Sequence, residues 1–112
     1  MSDAPENNRR YYRLSYPDSL MPTAEISGHT YQVLEISEKG MRIRCGDFNR
    51  FRVSEKVSGE VTFSDGETLS IKGVIRRKER DHYVIYELVG ITFNRLVQEQ
   101  RLVISRYRSR PG

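Results

Sequence analysis

From Leu20 onward, apolar and polar residues alternate with a period of two, in runs cut by turn residues. That is the pattern of strands with one buried face. Met21 to Ile26 is expected as a first strand and Thr30 to Ile36 as a second, joined through Ser27-Gly28-His29. Ser37-Glu38-Lys39-Gly40 forms the next turn, with Gly40 free to take a positive φ. Met41, Ile43 and Cys45 then alternate with Arg42 and Arg44. Gly46 to Glu55 reads as a loop with a few apolar anchors. Beyond it Val57, Gly59, Val61 and Phe63 alternate with Ser58, Glu60 and Thr62. Asp65-Gly66 is a hairpin signal, and Leu69, Ile71, Gly73 and Ile75 form one face of the strand after it.

Arg80-Asp81-His82 is expected to turn the chain into a long last strand, Tyr83 to Phe93. Strict alternation sends Val84, Tyr86 and Leu88 one way, and Tyr83, Ile85, Val89, Ile91 and Phe93 the other. Both sets are apolar, so both faces need cover. The rest of the chain changes period. Leu96, Val97, Val103, Ile104 and Tyr107 lie on one helical stripe, and Asn94 is a suitable N-cap. A helix is therefore expected over 94–108. The fold class that follows is an all-β barrel of about six antiparallel strands over 20–93 with a C-terminal α-helix, because closure removes exposed strand edges. Pro17 and Pro22 argue against a helix before the first strand. Residues 1–8, polar and acidic, are expected to be a disordered lead, and 109–112 a short tail.

The 112 residues suit one domain. Hydrophobic residues make up 37% and charged residues 30%, as in a globular domain with a modest core. No apolar run approaches the roughly 20 residues that a membrane helix needs. No signal-peptide segment opens the chain, so it is expected in the cytoplasm. A single cysteine, Cys45, excludes an intramolecular disulfide and is expected to pack as a small hydrophobe. His29 and His82 are the only histidines, with no partner at metal-ligand spacing, so no metal and no cofactor is expected. No nucleophile–base arrangement or glycine-rich phosphate loop is visible, and the chain reads as a non-enzyme.

The net charge of +4 favours an anionic partner, and its distribution is uneven. Arg9, Arg10 and Arg13 cluster near the start. The spacing of Arg9 and Arg13 puts both on one side of the backbone. Guanidinium forks match phosphate oxygens and the O6/N7 edge of guanine. Alone, the cluster is also compatible with a solvated basic arm or with nonspecific nucleic-acid contact. The segment Glu35-Ile36-Ser37-Glu38-Lys39-Gly40, taken alone, is an ordinary turn. Arg76-Arg77-Lys78 reads as a solvated strand end, with a place bordering a ligand as the alternative. Tyr31, Tyr83 and Tyr86 read as core or half-buried strand residues rather than a platform for bases.

Taken together, the two segments resemble the PilZ family, whose signature is RxxxR followed some twenty residues later by D/N-x-S-x-x-G. Arg9 to Arg13 supplies the first part and Glu35 to Gly40 the second. Val89-Gly90-Ile91-Thr92-Phe93 is similar to the family's late G-x-x-F strand, and the resemblance covers residues 9–108. It implies a bacterial receptor for the second messenger cyclic di-GMP, bound across the outside of the barrel and clamped by the arginine loop at 9–13. Carried over by position, Arg9 and Arg13 would grip guanine edges and phosphates, and Arg10 would add a phosphate or stacking contact. Ser37 would hydrogen-bond the ligand, and Gly40 would let the backbone approach it. Glu35 departs from the family's Asp or Asn and reaches one methylene further. Arg42 and Arg44, on the outward face beyond Gly40, are further candidates for phosphate contact. The arginine loop would order on binding and present a new surface to an unidentified effector protein. Two rivals remain: a PilZ-like protein-interaction adaptor that has lost the nucleotide, and an OB-like barrel for single-stranded nucleic acid.

Overall fold

A computed structural model describes residues 13–45 and 51–108. Arg9, Arg10, the lead over 1–8 and the tail over 109–112 lie outside the described residues. Among the described residues the strands are β1 (Arg13–Ser15), β2 (Thr23–Ile26), β3 (His29–Ser37), β4 (Gly40–Arg44), β5 (Lys56–Thr62), β6 (Thr68–Glu79) and β7 (His82–Val89). Helix α1 (Phe93–Arg108) follows. Neighbours run in the order β2-β5-β6-β7-β4, and β3 pairs with both β4 and β2, so six antiparallel strands close into a barrel. The seventh, β1, is an addition at the rim. One edge of β3 takes β2 along His29–Gln32 and β1 along Glu35–Ser37, while β4 lies along the other. The period-2 reading has no strand at 13–15, because three residues carry too little alternation to register.

The barrel interior is filled by the inward positions of each strand. Ala24, Ile26, Val33, Ile43, Val61, Tyr83 and Ile85 are fully buried. Phe51 closes one end of this core. It packs edge-on against Tyr83, with ring centroids 5.2 Å apart, and against Tyr31 at 5.9 Å. Cys45 is half-buried against the core, in keeping with its reading as a small hydrophobe.

Alternation slips at three places. On β3 the pairing passes from Val33↔Ile43 to Glu35↔Arg42, so Leu34 is an extra residue. On β6 it passes from Ile75↔Ile85 to Arg77↔Val84, so Arg76 is extra. On β7, Glu87 sits at φ +53°, and the pairing jumps from Val74↔Tyr86 to Lys72↔Val89. Each is a β-bulge, which reverses the facing of everything beyond it. The last one corrects the expectation of a strand buried on both faces. Tyr83, Ile85 and Leu88 point in, while Tyr86 and Val89 are exposed, at 48% and 63%. The strand also ends earlier than expected. Gly90 has φ +114°, and a Cβ there would lie 2.3 Å from the Ser70 carbonyl oxygen, so the chain leaves the sheet at a glycine that cannot be replaced without strain.

The helix begins one residue before the expected start. The Arg95 amide donates to Thr92 Oγ1 at 3.2 Å, making Thr92 the N-cap in place of Asn94. Leu96 and Val103 are buried as expected, but Ile104 and Tyr107 are not. Between the buried apolar positions lie two charged residues that the stripe did not include, Arg95 at 7% and Glu99 at 0% exposure. Glu99 accepts from Tyr16 Oη at 2.9 Å and from Ser64 Oγ at 2.6 Å, while the Ser64 amide lies 3.1 Å from both carboxylate oxygens. Arg95 Nη2 donates to Asp65 Oδ1 at 2.9 Å and stands 3.5 Å from Glu99 Oε1. The guanidinium covers the Phe63 ring, 4.4 Å from its centroid. A buried carboxylate is tolerable only when so surrounded by donors. This cluster ties α1 to the β5–β6 hairpin and to the residue that follows β1. No helix among the described residues is long and apolar enough to cross a membrane.

The Tyr16 phenol is held well above its ordinary value of 10.0, first by burial, then by the Glu99 charge and its hydrogen bond, with Arg95 opposing. A proton held more tightly in the folded state stabilises fully below the unfolded pKa and is lost as pH climbs past it. Tyr16→Phe is therefore expected to cost about 1.5–3 kcal/mol at neutral pH, the range for a hydrogen bond to a charged group. Above about pH 10 its stability should fall less steeply than that of the unaltered chain. Urea unfolding across that range measures both effects.

Candidate functional site

Two of the three bulges face the same way. Without the slip at Leu34, alternation from Tyr31 and Val33 would send Glu35 into the core. With it, Ile36 is buried and Glu35 emerges opposite Arg42. Without the slip at Arg76, the run Ile71, Gly73, Ile75 would carry Arg77 inward. With it, both Arg76 and Arg77 stand outside. The outcome is a cleft of about 370 Å³ across the outer wall where β1, β3, β4, β7 and β6 meet. Its lining includes Arg13, Lys39, Arg42, Arg76 and Arg77 against one carboxylate, Glu35.

Its turn is built by Ser37. The hydroxyl accepts from the amides of Lys39 at 3.3 Å and Gly40 at 3.1 Å, and lies 3.3 Å from the Gly40 carbonyl oxygen. One serine thus closes the β3–β4 hairpin. Gly40 is not among the glycines with positive φ, contrary to the expectation from its turn position. It is constrained by space instead, since a Cβ there would meet the Ile85 carbonyl oxygen at 3.1 Å.

Two carboxylates hold the arginines. Glu35 lies 3.6 Å from Arg13 Nη1 and 3.5 Å from Arg42 Nε. Outside the cleft lining, Glu79 lies 3.3 Å from Arg42 Nη1 and 2.9 Å from His82 Nε2, and it also pairs with Arg77 Nε. The Arg77 hydrogen bond, aided by His82 and Arg42, holds the Glu79 carboxyl below the usual carboxylate range against an opposing desolvation. Arg76 Cζ lies over the Tyr86 ring, 4.6 Å from its centroid.

Of the site residues expected from the sequence, Arg13, Glu35, Ser37, Gly40 and Arg42 meet in this cleft. Arg44 does not line it; its Nη1 donates to Gln32 Oε1 at 3.2 Å. Arg9 and Arg10 lie outside the described residues. Arg76 and Arg77 are exposed near the end of β6, in keeping with a solvated strand end, and they also line the cleft, while Tyr86 is an exposed partner of Arg76. The signal for them was present as adjacent arginines, but period 2 sends one of any adjacent pair inward. Among the described residues no group of three or more His, Cys, Asp or Glu is placed to hold a metal ion.

A closed six-stranded antiparallel barrel, with a cationic cleft on its outer wall and a C-terminal helix, defines a compact class of β-barrel modules. The chain belongs to the PilZ domain family, whose model matches residues 7–109. Among solved structures it is similar to the Bacillus subtilis inhibitor of motility (MotI/DgrA), with a TM-score of 0.61 at 15% identity. That alignment covers 92% of this chain and 52% of the other, so this chain spans about half its neighbour's length. At this identity the likeness shows the fold. No curated protein matches the chain in sequence.

Ser37→Ala removes the acceptor for two hairpin amides while leaving the strands intact. It is expected to lower unfolding free energy by about 1 kcal/mol. Denaturant titration checks this, with the β3–β4 hairpin amides losing hydrogen-exchange protection first.

Proposed function

We propose that this chain is a cyclic di-GMP receptor that works by binding and presenting a surface, not by catalysis. The observation that carries the reading is the convergence of Arg13, Arg42, Arg76 and Arg77 on the Ser37–Gly40 turn, at the end of the Arg9–Arg13 segment. The ligand of the family is a dianion with two guanines. Guanidinium groups meet both parts, as forks on phosphate or on the guanine edge and as flat surfaces for stacking. Arg9 and Arg10, four and three residues before Arg13 in the sequence, would complete the clamp. Arg76, placed over the Tyr86 ring, is a guanidinium against which a base could stack.

Glu35 is the residue that decides affinity. Its two oxygens face Arg13 and Arg42 at 3.5–3.6 Å, and the Arg13 side chain is 65% exposed. Exposed pairs of this kind contribute only about 0–1 kcal/mol each. A bidentate guanidinium contact to guanine contributes about 1–3 kcal/mol. The ligand therefore outcompetes Glu35 for the arginines, at the cost of a carboxylate left near its phosphates. The adaptor reading without nucleotide draws on the same residue, because a carboxylate already matched to two arginines is a stable arrangement by itself.

Titration calorimetry with cyclic di-GMP separates the two. Binding is expected, lost in Arg9→Ala and Arg13→Ala, and weakened about tenfold in Arg42→Ala and Arg76→Ala. Glu35→Asp withdraws the carboxylate by one methylene and should bind more tightly. Silence of the unaltered chain at high micromolar ligand would rule out the receptor reading and leave the adaptor. Single-stranded DNA binding with a steep salt dependence, in place of the dinucleotide, would favour the nucleic-acid barrel.

A further inference from the structure

A second concavity lies on the other side of β1, where this strand meets α1. It has a volume of about 320 Å³ and an apolar lining that includes Leu14, Pro17, Val103, Ile104 and Tyr107, with Arg108 at its margin. Leu14 and Val103 are buried and form the floor, while Ile104 and Tyr107 are 40% and 54% exposed. The helix that forms one wall is strongly one-signed. Its only carboxylate, Glu99, is buried and committed to Tyr16 and Ser64, whereas Arg101, Arg106 and Arg108 are all exposed.

We infer that this groove docks an acidic segment of the effector protein, with one or more large apolar side chains inserted between β1 and α1. The inference rests on the receptor function proposed above, in which the chain presents a surface to a protein, and names the chemistry of that partner. Charge complementarity selects the occupant: apolar anchors fill the floor and flanking carboxylates meet Arg108 at the groove, with Arg101 and Arg106 exposed elsewhere on the same helix. A second copy of the chain fits poorly, since it carries the same net charge of +4. A bilayer surface fits poorly too, because the apolar floor is recessed between two elements. The groove also shares β1 with the ligand cleft. Arg13 begins the strand and lines the cleft, and Leu14, the next residue, lines the groove. A shift of β1 on ligand binding therefore changes the groove, and the partner changes ligand affinity by the same factor.

The test is selection of short random peptides displayed on phage against the full chain, followed by affinity measurement of the enriched peptides. Enriched sequences are expected to combine Asp or Glu with spaced Leu, Ile or Phe. Ile104→Glu and Arg108→Glu should weaken them about tenfold or more, while Val89→Glu, on an exposed apolar residue of β7, should not. Saturating cyclic di-GMP should alter their affinity, and an affinity indifferent to it would remove the link through β1. The docking inference falls if no sequence is enriched, if enrichment lacks acidic bias, or if Ile104→Glu has no effect. It also falls if anionic phosphatidylglycerol vesicles or single-stranded DNA engage α1 instead of peptide. Cyclic di-GMP affinity of Ile104→Glu, measured without peptide, should equal that of the unaltered chain, so failure of the groove and failure of the ligand cleft are told apart.

Discussion

A strand in a closed barrel has only two directions for a side chain, and a run of apolar residues at every second position fixes which is inward. Charged residues that fall out of phase with that run must either be buried or be rescued by a change of phase. In this chain the rescue is made by bulges. Leu34 turns Glu35 outward, and Arg76 turns both itself and Arg77 outward. The core loses nothing, because Ile36 and Ile75 remain inside on either side of the slips. The cleft is therefore a product of local strand irregularity. If β3 and β6 ran without their extra residues, a carboxylate and a guanidinium would face a hydrocarbon interior at a cost of several kcal/mol each, and the outer wall would lose part of its charge.

Concentrating that many guanidinium groups on one wall creates a second problem, since like charges repel. Two carboxylates solve it in different ways. Glu79 sits outside the cleft lining and serves Arg42, Arg77 and His82 together, with its pKa held below the usual carboxylate range. Glu35 sits within the cleft and spans Arg13 and Arg42 at longer distances. The first arrangement positions arginines without occupying the open face, and the second occupies it loosely. On the proposed reading, an anion entering the cleft would displace the longer contacts to Glu35 and leave those to Glu79 to hold Arg42 and Arg77 in place.

Much of this was readable from residue order. Barrel, helix and most strand positions follow from alternation, turn residues and the change to helical period. Glu35, Ser37 and Gly40 came from the resemblance to the PilZ signature, because periodicity alone would have placed Glu35 inside. What escaped has a common cause. Bulges add one residue with no compositional mark, so the facing of Tyr86 and Leu88 could not be read from spacing, and the outward place of Arg76 and Arg77 rested on their charge alone. The pair Arg95 and Glu99 escaped for a related reason. Helical stripes are read by hydrophobicity, and two charges that neutralise each other in the interior look like two solvent-facing residues. The cap at Thr92 was missed because Asn94, a stronger cap former in general, lies just beyond it.

The same buried pair gives the molecule its long-range connection. Tyr16 follows β1 immediately, and its hydroxyl ends on Glu99, in the middle of α1. Ser64, at the β5–β6 turn, ends on the same carboxylate through both its amide and its hydroxyl. β1 itself is only three residues long and pairs with one strand, so its position depends on what holds its two ends. At one end Arg13 leans on Glu35 by an exposed, easily exchanged contact; at the other Tyr16 is held by a buried one. Under the docking inference, that asymmetry would make the cleft end the movable one and the helix end the pivot. A change of partner at Arg13 would then tilt β1 against α1, where Leu14 and Val103 line the same groove. Energetic coupling needs an element with alternative arrangements that both sites bias, and β1 is the element of this fold that borders both concavities.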